Sequence, residues 1–172
     1  FFPKDPWKLC CSGYPHLLQY WHFNGRYANQ APIGDANMPK RDYTCHVWLD
    51  EQNVLAGSTD GYVSLIKGCD VIQHLKVFEK LRDGDVSYDE IGVDLIIHNA
   101  DVIMVCNTHN IVAFLEIKQL DYTKKDSAIK LEYVNRFVFG QHCTLCGLCW
   151  AFDSEYSNKL IVASIDSIEI YE

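Results

Sequence analysis

Residues 43–69 read YTCHVWLDEQNVLAGSTDGYVSLIKGC and contain three short apolar runs, at Tyr43–Leu49, Asn53–Ala56 and Tyr62–Ile66. Each run has the length of a β-strand and is rich in valine, leucine or aromatic residues. The breaks between the runs contain glycine or aspartate, which tolerate the positive φ angles that a tight turn needs. This stretch therefore predicts an antiparallel meander of three strands.

The same pattern, a buried strand followed by a short turn and a second apolar strand, recurs along the chain. It occurs at Lys8–Gly13 with His16–Phe23, at Asp101–Asn107 with Asn110–Ile117, and at Lys159–Ser164 with Ser167–Tyr171. The strand ends Gly13, Gly57, Asn107 and Ser164 are about 44–57 residues apart, and a four-stranded propeller blade spans about 40–50 residues. The wider spacings leave room for insertions at 82–90 and 121–128. The repeat predicts an all-β, WD40-like β-propeller, with an ordinary β-sandwich as the alternative.

The repeat units do not suit a closed ring, because propellers typically close with four to eight complete blades. Only Phe1 and Phe2 precede Pro3, so the first unit lacks an innermost strand, and the last unit ends where its outer strand should follow. We therefore expect part of a larger propeller. Its blade units are predicted at approximately 1–42, 43–92, 93–144 and 145–172.

These units predict individual strands and a core, with almost no helix. The strands are expected near 8–12, 16–23, 43–49, 53–57, 61–66, 93–97, 101–106, 110–117, 145–151, 159–164 and 166–171. The residues expected to be buried between blades are Trp48, Val54, Leu55, Val63, Leu65, Ile103, Val105, Leu148, Trp150, Ile161 and Val162.

The chain contains eight cysteines, and four of them, Cys11, Cys45, Cys106 and Cys149, lie within apolar strand runs. A free cysteine behaves as a small hydrophobic residue, so we expect reduced thiols packed in the core. Residues 142–149, HCTLCGLC, contain the ligand types of a zinc site. No second cysteine pair follows at zinc-ribbon spacing, and alternating side chains of a strand would separate Cys143 from Cys146. A packed strand is the preferred interpretation, a zinc module is the alternative, and no metal is expected.

Catalytic motifs are not found in the sequence, which has no phosphate-binding glycine loop, His-Glu-x-x-His or Gly-x-Ser-x-Gly. We interpret His46 as a structural histidine on an inner strand and Asp60 as a turn-forming residue. The sequence therefore predicts no catalytic residue and no cofactor. An enzyme with carboxylates or a metal in a propeller channel is the alternative.

The formal net charge is −8, from 15 basic and 23 acidic residues. Phosphate backbones and anionic lipid surfaces are bound by clustered lysine and arginine. The basic pairs Lys40-Arg41 and Lys124-Lys125 are interpreted as solvated loop residues. We therefore expect neither nucleic acid nor a membrane as a partner.

One group of motifs resembles a known family. The stretch from Asn37 to Leu49, NMPKRDYTCHVWL, followed by Asn53-Val54-Leu55-Ala56-Gly57 and Asp60-Gly61, is similar to blades of the WD40-repeat cilia- and flagella-associated proteins. The opening Phe2-Pro3-Lys4-Asp5 with Leu9-Cys10-Cys11-Ser12-Gly13 also looks like a blade of that family. The resemblance is carried by residues 1–69.

The resemblance implies a non-catalytic scaffold in the axoneme of cilia or flagella that assembles axonemal proteins and, in some members, tethers dynein arms. Tubulin is itself acidic, so we expect no direct contact between this segment and tubulin. Partner binding is expected at loops 24–42 and 82–92, because loops on a rigid scaffold often carry function. A WD40-type adaptor of a non-ciliary cytoplasmic complex is the alternative.

Overall fold

The structure is a computed structural model. Among the residues that it describes there is no helix, and hence none that could cross a membrane. The described residues are 1–33, 40–78, 82–83, 86–87, 92–99, 102–107, 109–119, 129–138, 145–150, 160–164 and 167–171.

The described residues form four larger antiparallel sheets and one short hairpin. The first sheet contains β1 (Lys8–Gly13), β2 (Leu17–Asn24) and β3 (Tyr27–Pro32). The second sheet contains β4 (Tyr43–Trp48), β5 (Asn53–Ser58), β6 (Tyr62–Lys67) and β7 (Asp70–Lys76). The hairpin contains β8 (Arg82–Asp83) and β9 (Val86–Ser87). The third sheet contains β10 (Leu95–Asn99), β11 (Val102–Cys106), β12 (Ile111–Gln119) and β13 (Ile129–Val138). The fourth sheet contains β14 (Leu145–Trp150), β15 (Leu160–Ser164) and β16 (Ile168–Tyr171).

Each larger sheet is a meander, because strands that follow one another in the chain are also hydrogen-bonded neighbours. The predicted meander of residues 43–69 is therefore confirmed as β4, β5 and β6, and β7 extends it by one strand. The all-β fold class is confirmed with it.

Alternating side chains pack the sheets face to face in chain order. In the second sheet, Val54 and Ala56 pack with the first sheet, whereas Leu55 between them packs with the third. In the third sheet, Val105 packs with the second sheet and Met104 packs with the fourth. Both faces of each central sheet are therefore buried. The blades of a propeller pack in this way, whereas each sheet of a two-sheet sandwich buries only one face.

The directions of the strands show which blade position each strand occupies. β4 and β10 run parallel, since the hydroxyl of Thr44 donates to the carbonyl of Val93 at one end, and Leu49 and His98 line one groove at the other. β1 runs antiparallel to β4. Near the end of β1, Ser12 forms a hydrogen bond with His46. Earlier in β1, Cys10 is paired with Tyr20, whose ring stacks on Trp48, a later residue of β4. β1 therefore corresponds to β5, the second strand of its sheet. Within the described residues no strand pairs with the other edge of β1, in line with the predicted lack of an innermost strand.

Two contacts fix the second sheet against the third. Gly57 lies against the segment before β10, since an added Cβ would overlap Val93 Cγ1 and would also lie 2.8 Å from the Sγ of Cys45 in its own sheet. The side-chain amide of Gln73 donates to the carbonyl of Leu131 at 2.9 Å and accepts from its N–H at 2.8 Å. These contacts join β5 to the segment before β10 and β7 to β13, so the two sheets are held together at both their inner and their outer strands.

Most of the predicted core is buried. The buried residues are Val54, Leu55, Val63, Leu65, Ile103, Val105 and Val162. Trp48, Leu148 and Ile161 are only partly buried. Ile161 is paired with Ile170 on the face of the fourth sheet opposite to Leu160 and Val162, which pack on the third sheet. The side chain of Trp150 lies outside the described residues.

Candidate functional site

His46, the histidine singled out in the sequence, bridges the first and second sheets. Its Nδ1 lies 2.8 Å from Ser12 Oγ. Burial is the main cause that lowers the pKa of His46 from its ordinary 6.5. A second pair, His74 Nδ1 and Ser64 Oγ at 2.8 Å, joins β6 to β7, and burial lowers the pKa of His74 as well. Both imidazoles therefore act as neutral hydrogen-bonding groups between strands.

Asp60 stabilises the turn between β5 and β6 and also pairs with the side chain of Arg41. Its carboxylate accepts a hydrogen bond from Ser58 Oγ at 2.6 Å and forms an ion pair with Arg41. The guanidinium of Arg41 lies 3.8 Å from the centroid of the Tyr62 ring, and the Lys76 ammonium lies 4.6 Å from the same ring. The interpretation of Arg41 as a solvated loop residue is wrong, because its side chain is only 11% exposed and is held by the carboxylate and the ring. Lys40 is exposed.

The described cysteines differ in burial, and Cys11 and Cys45 are only partly buried. Cys10 and Cys106 are buried, and burial raises the pKa of the Cys10 thiol to about 12. Cys149 is exposed on β14, so the prediction of a core thiol there is wrong. Cys143 and the side chain of Cys146 lie outside the described residues, and the part of the chain that is described contains no cluster of metal-ligating side chains. Residues 145–150 form a strand paired with β15, as the packed-strand interpretation predicted.

The two predicted contact loops are partly strands. Residues 27–32 form β3, which is paired with β2, so the loop predicted over 24–42 is wrong there. Residues 34–39 lie outside the described residues. Within 82–92, Arg82–Asp83 and Val86–Ser87 form the hairpin of β8 and β9, whereas 84–85 and 88–91 are not described.

A concave surface lies between the first and second sheets, and we call it the inter-sheet cleft. It has a volume of about 290 Å³. One wall is made by β2 and β3 and the other by the turns that follow β4 and β6. The residues that line this cleft include Lys8, Tyr20, Asn29, Gln30, Ala31, Trp48 and Glu51.

Three aromatic rings are packed together beside the inter-sheet cleft. Tyr20 and Trp48 stack with ring centroids 5.3 Å apart, and Phe2 packs against Trp48 at 5.2 Å. Among the described residues, neither the buried hydroxyl of Tyr20 nor the buried Nε1 of Trp48 has a hydrogen-bond partner. Unpaired buried polar groups are costly and uncommon in folded proteins. Because both polar atoms are buried, the aromatic stack presents an apolar surface to this cleft, which we take as a candidate binding site.

A wider groove of about 810 Å³, the end groove, lies on the other side of Trp48. Its lining includes Phe2, Trp48, the turn after β4 and His98. That turn is rigid, because Asp50 Oδ1 accepts from the backbone N–H groups of Gln52 and Asn53 at 2.7 and 2.8 Å. The end groove is a second concave surface at the ends of β4 and β10.

The aromatic residues of the inter-sheet cleft were not identified as functional from the sequence. Trp48 was predicted to be a core residue, and Tyr20 lay unremarked in an apolar strand. The available signal was that tyrosine and tryptophan each carry a polar group that needs a partner when buried. Only the packing of the first sheet against the second brings the two side chains together.

Comparisons with known proteins identify the fold. No protein-family model matches the chain, and no curated protein matches it by sequence. The β-propeller domain of Cps50 (Swd1) from Myceliophteria thermophila aligns with a TM-score of 0.73 and 12% identity, over 98% of this chain and 54% of that chain. The computationally designed Ika8 protein aligns with a TM-score of 0.51 and 6% identity, over 97% of this chain and 56% of that one.

These matches define the class of the fold. The chain is a partial β-propeller and spans about half the length of each solved structure named above. At such low identities the likeness shows the fold alone.

Proposed function

We propose that this chain is part of a non-catalytic WD40-type scaffold of the ciliary or flagellar axoneme, where it assembles axonemal proteins and takes part in tethering dynein arms. The ciliary assignment rests on the motifs within residues 1–69 that resemble the cilia- and flagella-associated proteins. The blade boundaries given above remain part of this proposal.

The observation that carries the scaffold proposal is that side chains capable of acid–base chemistry form structural contacts instead. The candidates for catalysis, His46 and Asp60, are engaged in holding strands together, with Ser12 and with Arg41. The motif residues that carry the resemblance also have structural positions: Tyr43 is buried, Trp48 is stacked between rings, and Gly61 has a φ of 77°. A rigid framework of this kind suits the simultaneous binding of several proteins.

The test is localisation and proximity labelling of the full-length protein at its native expression level in ciliated cells. We expect the tagged protein along the axoneme, with dynein-associated or doublet-associated proteins among the labelled neighbours. The matched control is the same tag and labelling enzyme targeted to the cytosol. A diffuse distribution, with neighbours from a cytoplasmic coat or ligase complex, would instead support the non-ciliary adaptor.

Direct contact with tubulin is tested separately by co-sedimentation with taxol-stabilised microtubules. The net charge of −8 opposes binding to an acidic surface. We expect the purified protein to stay in the supernatant at low salt, where electrostatic attraction would be strongest. Salt-sensitive pelleting with the microtubules would contradict this part of the proposal.

A further inference from the structure

We propose that Gln73 forms an autoinhibitory contact. Its side-chain amide occupies the outer edge of β13 and keeps that edge from pairing with the β13 edge of a second copy of this chain. The inference concerns self-association and does not depend on the proposed axonemal function. It is carried by the hydrogen bonds between Gln73 and Leu131 and by the exposure of β13.

β13 is an outer strand whose free edge invites pairing. It has 10 residues, and none of the described strands pairs with the edge opposite to β12. Four of its large apolar side chains, those of Tyr133, Val134, Phe137 and Val138, are 42%, 57%, 53% and 63% exposed. A long edge strand with exposed apolar residues is a template on which another chain can add a strand, so native proteins block such edges.

The hydrogen bonds of Gln73 are those that an added strand would make. In an antiparallel ladder, every second residue directs both its N–H and its C=O to the same neighbour. Both groups of Leu131 reach Gln73 of the second sheet, so they point away from β12. The Leu131 N–H donates to Gln73 Oε1 at 2.8 Å, and Gln73 Nε2 donates to the Leu131 carbonyl at 2.9 Å. One side-chain amide therefore takes the place of one residue of a pairing strand.

Other features of β13 oppose pairing at the same edge. The register with β12 shifts at Val134, which has no partner residue on β12. The side chain of Asn135 accepts a hydrogen bond from the backbone N–H of Arg136 at 2.8 Å, and Lys130 and Glu132 form an ion pair at 3.2 Å. Bulges and charged residues are devices by which edge strands avoid pairing. Gln73 adds to them a contact that comes from another sheet.

The test measures self-association of the full-length protein by sedimentation velocity at increasing protein concentration. Gln73→Leu keeps a side chain of similar size but removes the amide, so both backbone groups of Leu131 lose their partner. We expect the average mass to exceed that of wild type and to rise with concentration. Gln30→Leu is the matched control, because it makes the same change at an exposed position of another outer strand, β3, and it should keep the mass of wild type.

A double variant tests whether β13 is the surface that associates. Val134 is 57% exposed, so Val134→Lys in the Gln73→Leu protein adds a charge to the edge without disturbing the core. Lysine on an edge strand opposes pairing, and two paired copies would bring like charges together. We expect the double variant to return to the mass of wild type. Aggregates of an unfolded protein would not be dispersed by this change.

Hydrogen–deuterium exchange gives an independent measurement on the same proteins. At low concentration, the Leu131 amide of Gln73→Leu should exchange about tenfold faster than in wild type, as expected for one lost hydrogen bond. At high concentration, β13 should become protected again, because its edge is then paired with a second copy. Gln30→Leu should exchange at β13 as wild type does.

A Gln73→Leu protein with the mass of wild type at every concentration would overturn the proposal. Association that persists in the double variant, or that is equal in Gln30→Leu, would overturn it as well. So would unchanged exchange of the Leu131 amide. None of these outcomes alters the expected labelling of axonemal neighbours, so the two proposals can fail separately.

Discussion

At the residue scale, several polar side chains among the described residues hold the fold together. The Ser12–His46 pair joins two sheets, and the Arg41–Asp60 ion pair lies on the ring of Tyr62. The sequence indicated a structural role for His46 because the histidine lies within an apolar strand. It gave no corresponding indication for Arg41, since the carboxylate and the ring that bury its guanidinium come from a turn about twenty residues later.

Replacement of Trp48 by alanine should destabilise the protein strongly. The indole packs between Phe2 and Tyr20 and contributes to the core of the first and second sheets. We expect a loss of about 3 kcal/mol in the free energy of unfolding, at the low end for a tryptophan because this one is only partly buried. Chemical denaturation measures the loss. Trp7→Ala is the control, since Trp7 is 55% exposed, and an equal loss in both variants would contradict the assigned packing.

The lowered pKa of His46 predicts a pH dependence of stability. Because burial lowers the folded-state pKa below the ordinary 6.5, the unfolded state binds more protons than the folded state near and below that pH. The free energy of unfolding should therefore fall as the pH decreases from about 7 to about 5. In His46→Gln this fall should be smaller, with the remainder due to His74 and other groups. The check is urea unfolding at several pH values, and a slope identical to that of wild type would exclude His46 as a source.

At the element scale, the second and third strands of each repeat were predictable and the outermost strands were not. β5 and β11 are continuous apolar runs, because both faces of a central strand are buried. β3, β7 and β13 were missed in the sequence. Each is an edge strand, largely exposed in β3 and β13 and partly exposed in β7, in which polar residues interrupt the apolar pattern, as in YANQAP and IKLEYVNRFV. Their positions depend on pairing with the preceding strand rather than on their own hydrophobicity.

The contact between β5 and the segment before β10 predicts a specific effect at Gly57. A methyl group at this position would overlap Val93 Cγ1 and the thiol of Cys45. Gly57→Ala should therefore cost about 1–3 kcal/mol in the free energy of unfolding, as overpacking of a core does.

Val93→Ala in the same chain removes the overlapping methyl groups and should recover part of that loss. A double-mutant cycle on the two positions measures the recovery. Strictly additive costs would show that Gly57 does not approach Val93, and the assigned packing of the second sheet on the third would then be wrong.

At the scale of the whole molecule, four sheets stack in chain order, and the first and the fourth contain three strands each among the described residues. The repeat spacing in the sequence was sufficient to predict a propeller rather than a sandwich, because both require strands but only the propeller requires blade-length periodicity. The inter-sheet cleft could not be predicted in the same way. It is formed by residues from two sheets whose relative position is set by packing.

The central claim is that these sheets are blades of a propeller ring that acts as a rigid framework for protein binding. The most direct measurement is an experimental structure of the full-length protein by cryo-electron microscopy or crystallography. The account predicts radially arranged blades in chain order, with a further strand, parallel to β4, paired to the edge of β1 that none of the described strands occupies. Two facing sheets that enclose a single core, or a β1 edge that faces solvent in the complete protein, would contradict it.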